Sequence, residues 1–261
     1  STFCSVNFPA SADIYTQHIV GSVRCVAETE LIHEGSIHDS ASIEKLKSSL
    51  FSINNSTKEE ENFFRYYVDR VFSPKGIGTV VTGTVLGKKI ELNEKVFICD
   101  SQIESKIKNI QVHNTNALEA NISNRAALNL QGVNINQIKR GDLITKKGHI
   151  RGFDGIDIFF KCLKDKTIHH NQTYTLFIGA KKIEVKVLMF DCITTLETGY
   201  ATLKAEEKIY CIFGEKIILR SANETICGGK ILNPVIDPMK KYQKRRLLEA
   251  LENSDFPLAY K

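Results

Sequence analysis

From residue 64 to 232 the chain is cut into short apolar-rich runs, none longer than nine residues. They fall at 64–72, 79–86, 95–99, 106–112 and 125–130, then at 174–178, 183–189, 200–203, 209–213, 216–220 and 225–232. Turn-forming residues separate them, including Pro74-Lys75-Gly76, Asn114-Thr115-Asn116 and Arg140-Gly141-Asp142. Runs so short and so regularly punctuated read as antiparallel strands of barrels or sandwiches. Within 183–189, Ile183, Val185, Val187 and Met189 alternate with Glu184, Lys186 and Leu188, the pattern of a strand with one face buried. Asn233-Pro234-Val235-Ile236-Asp237-Pro238 ends the series, because prolines cannot sit in a central ladder. The predicted fold class is therefore mainly β, with two consecutive antiparallel β-barrels at 63–148 and 150–236.

The flanks read differently. Residues 1–53 predict a small α/β segment. It holds strands near 3–6 and 32–37, a helix over 12–20, and a second helix capped by Ser40 or Ser42 with Ile43, Leu46 and Leu50 on one face. Residues 54–62, Asn54-Asn55-Ser56-Thr57-Lys58-Glu59-Glu60-Glu61-Asn62, contain no large apolar side chain and read as a linker. A basic helix from Lys240 to Leu251 opens a C-terminal helical region at 239–261.

Composition narrows the function classes. Charged residues make up 25% and apolar ones 42%, ordinary for a soluble domain. No apolar stretch is long enough to span a membrane as a helix, and no secretory leader is visible. A cytoplasmic location is expected. Ser1 in place of an initiator Met reads as a fragment boundary. The seven cysteines, at 4, 25, 99, 162, 192, 211 and 227, lack any CxxC spacing, so reduced thiols are expected rather than a disulfide framework or a zinc site. The adjacent His169-His170 would point to opposite sides of an extended chain, which argues against shared metal ligation. A net charge of +5 permits an anionic partner without demanding one.

The string from Phe64 to Val85 carries the strongest signal. It includes Asp69-Arg70-Val71-Phe72-Ser73-Pro74-Lys75-Gly76-Ile77-Gly78-Thr79-Val80-Val81-Thr82-Gly83-Thr84. It resembles the opening of domain 2 in translational GTPases of the elongation factor Tu group. Lys108-Asn109-Ile110-Gln111-Val112-His113-Asn114, the strand around Arg125-Ala126-Ala127-Leu128-Asn129-Leu130, and Arg140-Gly141-Asp142-Leu143 follow in the family's order. The ending Gly228-Gly229-Lys230-Ile231-Leu232-Asn233-Pro234 is similar to that of the selenocysteine-specific members. The resemblance covers 64–238 well and 30–53 loosely, as the end of a G domain.

That resemblance implies a function. Domain 2 of such a factor holds the aminoacyl end of selenocysteinyl-tRNA, and Asp69, Arg70 and Arg125 match its pocket. It implies the ribosome as a partner, and a selenoprotein mRNA element bound through C-terminal domains that this chain lacks. Lys181, Lys182 and Arg220 are candidates for tRNA backbone contact from domain 3, against the plainer reading of solvated charges. His113 is a further neighbour of the pocket, set aside because a lone histidine is more often a surface or core residue. Two other readings share the fold: a factor carrying ordinary aminoacyl-tRNA, and a structural module docking to a GTPase or to the ribosome.

GTP and Mg²⁺ would belong to the full-length factor. This sequence has no GxxxxGK[ST], DxxG or NKxD, and Gly83-Thr84-Val85-Leu86-Gly87-Lys88-Lys89 is one residue short and lacks the Ser/Thr that would hold Mg²⁺. No catalytic residue, nucleotide site or metal site is predicted. Calorimetric titration of this chain with GTP should give no measurable binding; a micromolar dissociation constant would overturn that reading.

Overall fold

The computed structural model describes residues 2–7, 22–27, 30–36, 39–52, 63–190, 195–222, 224–235 and 239–253. The helix expected over 12–20 and the linker at 54–62 lie outside them. The chain divides into two compact units, Ser1–Lys58 and Glu59–Lys261.

In the first unit, β1 (Thr2–Asn7), β2 (Ser22–Ala27) and β3 (Glu30–Ser36) form an antiparallel sheet in sequential order. Helix α1 (Ser40–Ser52) follows. Its cap is not Ser40 or Ser42 but Asp39, whose carboxylate accepts the Ala41 N–H at 3.1 Å. Asp is among the best N-cap acceptors, so the helix starts one residue earlier than expected.

The second unit holds both barrels. In the first, β4 (Arg65–Phe72), β5 (Thr79–Leu86), β7 (Lys95–Ile98), β8 (Ile103–Val112), β11 (Arg125–Leu130) and β12 (Leu143–Thr145) carry the wall. Three short strands, β6 (Ile90–Glu91), β9 (Thr115–Ala117) and β10 (Glu119–Ala120), decorate it. The order is β11-β5-β4-β12-β7-β8, and β8 pairs back onto β11, which closes the ring and leaves no free edge. Tyr66, Val68, Val81, Val85, Ile110 and Leu128 are among the side chains filling it. The Tyr66 hydroxyl, fully buried, donates to the carbonyls of Ala126 (2.8 Å) and Val81 (3.1 Å) in turn, so its polar end is satisfied. The helix content of residues 64–147 is one short 3-10 turn, Ile135–Gln137.

The second barrel closes as β13-β18-β16-β15-β19-β20. Its strands are β13 (Phe153–Cys162), β15 (Thr173–Ile178), β16 (Lys181–Met189), β18 (Thr198–Ile209), β19 (Lys216–Ser221) and β20 (Glu224–Asn233), with β14 (Ile168–His169) and β17 (Thr195–Leu196) as a small side pair. Runs 200–203 and 209–213, read from the sequence as two strands, are bridged into the single strand β18 by Lys204-Ala205-Glu206-Glu207-Lys208. These polar residues gave no apolar signal because most of them face water. Helix α2 (Lys241–Glu252) packs on β13 and β20. Its Leu248 and Ala250 are buried, and Lys244 reaches the fully buried Asp157 at 2.8 Å.

Where the barrels meet, two glycines allow backbone to lie against side chain. Gly141 has φ +94°, and a Cβ there would stand 2.7 Å from Lys181 Cα. Gly179 has φ +54°, and a Cβ would meet the Tyr67 ring at 2.4 Å. Beside them Lys181 Nζ bonds Asp100 Oδ1 at 2.5 Å and lies 5.9 Å over the Tyr210 ring. Asp100 also accepts the Leu143 N–H at 3.1 Å. Burial opposes the Lys181 charge, yet the Asp100 and Glu207 carboxylates outweigh it and hold its pKa above the usual value.

Gly141→Ala or Gly179→Ala should therefore cost more than Gly148→Ala, where φ is +84° but a Cβ would meet nothing within 4 Å. The open site should lose about 1 kcal/mol and the joint sites about 2–4 kcal/mol, read from denaturant midpoints. Equal losses at all three positions would mean that the joint is not tightly packed.

Candidate nucleic-acid interface

The local geometry of β4 creates the site. Strand side chains alternate, so Val68 and Val71, three apart, would normally face opposite ways. A bulge between Val68 and Arg70 adds one residue, pairing Val68 with Gly83, Arg70 with Thr82 and Val71 with Val81. Both valines then turn toward the core, and Asp69 is the extra residue at the kink. Bulges re-aim side chains in this way.

On the outer face, the ladder sets Arg70 opposite Thr82, Thr82 opposite Ala127, and Ala127 opposite Gln111. Small residues at the middle of that row leave a groove of about 550 Å³. Arg70, Phe72, Gln111, His113 and Arg125 stand around it. Arg125 lies opposite Thr84, one residue along β11 from Ala126. His113 and Asn114, at φ 51° and 62°, form the two-residue turn from β8 to β9 and close one end. Paired positive φ values suit Asn there and are tolerated by His.

Charge in the groove is positive and partly fixed. Arg125 Nη2 bonds Asp69 Oδ2 at 2.7 Å, and Arg140 Nη2 lies 3.6 Å from Asp69 Oδ1. The Arg125 hydrogen bond, ahead of the neighbouring guanidinium charges, holds the Asp69 carboxyl below the ordinary aspartate value. Arg125 is 64% exposed, so this pair orients the side chain more than it stabilises the barrel. Arg70 makes no ion pair among the described residues. On the floor, Thr82 Oγ1 is buried with no hydrogen-bond partner. Such a hydroxyl costs the barrel some stability.

The structure thus brings Asp69, Arg70 and Arg125 to one place and adds Thr82, Gln111 and His113. Of these, His113 carried a weak sequence signal. The other two could be found only once the strand register was known. Lys181 does not join a tRNA-facing surface: it is 5% exposed, locked between the barrels by Asp100, and must be corrected to a structural residue. Lys182 lines a second hollow of about 630 Å³ with Lys186 and Lys204, where Glu184, Glu206 and Glu207 balance their charge. Arg220 stacks 5.7 Å over the Phe177 ring. Among the described residues no group of three or more His, Cys, Asp or Glu could hold a metal ion, and no helix is long and apolar enough to cross a membrane.

The chain is 29% identical over 217 residues to the selenocysteine-specific elongation factor of Desulfomicrobium baculatum, covering 80% of this chain and 34% of that protein. It is 28% identical to the Haemophilus influenzae factor of the same name, covering 69% and 29%. A crystal structure of a bacterial selenocysteine-specific elongation factor superposes with TM-score 0.68 and 26% identity, over 83% of this chain and 36% of that one. The chain is a relative of the selenocysteine-specific elongation factors. It spans about a third of the length of these selenocysteine-specific elongation factors. No family model matches it. A shorter stretch of 79 residues is 32% identical to elongation factor 1-alpha of Thermofilum pendens.

Removing Arg125 should release the Asp69 carboxyl. In Arg125→Ala its pKa should rise toward the ordinary aspartate value, followed by carboxyl carbon shifts in a pH titration. Because the folded value is depressed, the pair's contribution is present above the unfolded pKa and is lost as pH falls through the folded one. An unchanged Asp69 titration would show that the pair does not form in solution.

Proposed function

We propose that the two barrels serve a GTP-dependent elongation factor that delivers selenocysteinyl-tRNA, with the groove on the first barrel receiving the aminoacyl end. The observation that carries this reading is the pair of arginines, Arg70 and Arg125, on one groove. The names of the relatives supply the cargo.

The chemistry suits that cargo. A selenol is more acidic than a thiol, whose pKa is about 8.5, so it is an anion at neutral pH. Guanidinium groups keep their charge on partial desolvation and would favour the selenolate over a neutral seryl hydroxyl. Asp69 holds Arg125 in place through a charge-assisted bond. Nucleotide and Mg²⁺ would be held by a G domain, since no phosphate-binding motif occurs in this sequence. Residues 1–53 fit the end of such a domain, 63–148 its domain 2 and 150–236 its domain 3. The ribosome is the expected partner, and a selenoprotein mRNA element would be read elsewhere in a longer factor, in the cytoplasm.

A second reading, delivery of ordinary aminoacyl-tRNA, is favoured by the short match to elongation factor 1-alpha. The two separate on one substitution. Arg125→Ala should weaken selenocysteinyl-tRNA about 10-fold, the lower end expected for a charge-assisted contact because Arg125 is largely exposed when free. Seryl-tRNA should change little. Binding should be compared at one stated salt concentration. Equal losses for both tRNAs would leave general tRNA binding, and no loss for either would leave Arg125 as a surface charge.

A further inference from the structure

Barrel 2 closes on itself through β13 and β20, and at that seam Cys162 stands directly opposite Cys227. The hydrogen bonds around the pair fix its type. Leu163 N–H donates to the Ile226 carbonyl at 2.9 Å, while Cys162 N–H turns away to the Glu197 carbonyl at 2.6 Å. Cys162 and Cys227 are therefore a non-hydrogen-bonded pair, in which Cα atoms approach to about 4.5 Å and side chains lie closest. A disulfide needs Cα atoms roughly 4.4–6.8 Å apart. Cys162 Sγ lies 3.7 Å from the Leu196 carbonyl. Both cysteines are free in this structure. Cys162 is half-buried and open to small solutes, whereas Cys227 is fully buried.

We infer that Cys162 and Cys227 form an oxidation site, a dithiol that hydrogen peroxide converts into a disulfide stapling the barrel seam. Cys162, the accessible sulfur, attacks the peroxide. An S–O bond forms, the O–O bond breaks, and water leaves, giving a sulfenic acid. The Cys227 sulfur then attacks the Cys162 sulfur. The S–S bond forms as S–O breaks, and a second water leaves with the thiol proton. Two electrons pass from the thiols to one peroxide, which ends as two waters. Burial pushes both thiols above the usual range, Cys227 to about 12, so thiolate is scarce and the reaction is slow. Once made, the bond ties residues on the first and last strands of the barrel, a long loop of the kind whose closure restrains the unfolded chain most.

The test uses the whole chain and hydrogen peroxide. After oxidation and tryptic digestion without reductant, one species should join the Cys162 and Cys227 peptides at about 2 Da below their summed mass. The oxidised protein should melt several degrees higher than the reduced one. In Cys227→Ser, dimedone should trap a sulfenic acid on Cys162, which the natural pair consumes before it can be trapped. Oxidation that leaves the two peptides unlinked in the natural sequence, or that traps Cys162 equally with and without Cys227, would overturn the assignment. The linked peptide needs no variant, so a misfolded serine substitution would not obscure the answer.

Discussion

A strand turns its side chains alternately to two faces, and β4 has to bury apolar residues on both sides of a change in that alternation. The extra residue at Asp69 meets this demand. Were Asp69 paired in a regular ladder instead of bulged, Val71 would face solvent and Arg70 would be driven toward the core of barrel 1. The same kink that keeps the core apolar also lifts a carboxylate to the rim, where it can reach Arg125 and Arg140. Core packing and site chemistry thus depend on one irregularity, and neither can be altered without the other.

Most of the fold was legible because barrels leave a strong imprint on sequence. Turn residues at 74–76 and 140–142, and the turn at 113–114 beside the expected 114–116, punctuate runs whose β-branched content excludes long helices. The motif around Asp69 and Arg125 singled out residues that the structure brings together on one face of barrel 1. The errors have a common physical source. Lys181 looked like a surface cation because charge is read locally, whereas its partner Asp100 lies on the other barrel. The polar middle of β18 looked like a break because it is mostly exposed, and residues 205–208 fall where the register with β13 shifts between Phe153 and Gly155. Thr82 was invisible for a related reason. Its lack of a partner is a property of the space around it, which no pattern of neighbours encodes.

The joint between the barrels rests on close contact rather than on charge. The pairing of Lys181 with Asp100 is buried, and desolvation offsets much of its attraction. What it contributes is geometric: one arrangement satisfies both groups, and sliding would strand them. Gly141 and Gly179 permit that arrangement by letting Lys181 and Tyr67 approach the backbone. The groove on barrel 1 therefore has a fixed direction relative to the face of barrel 2.

The buried contact of Lys244 with Asp157 has a mechanical meaning. Asp157 sits in β13, in the wall of barrel 2, and it also accepts from Thr202 at 2.6 Å. Helix α2 is thus bolted to the barrel near its own beginning, with the Tyr200 hydroxyl and Lys230 gripping Glu252 at its far end. A helix pinned at both ends behaves as a strut rather than as a tether. A pull applied at its last turn would load the barrel wall along β13, instead of being absorbed by rotation about a flexible joint.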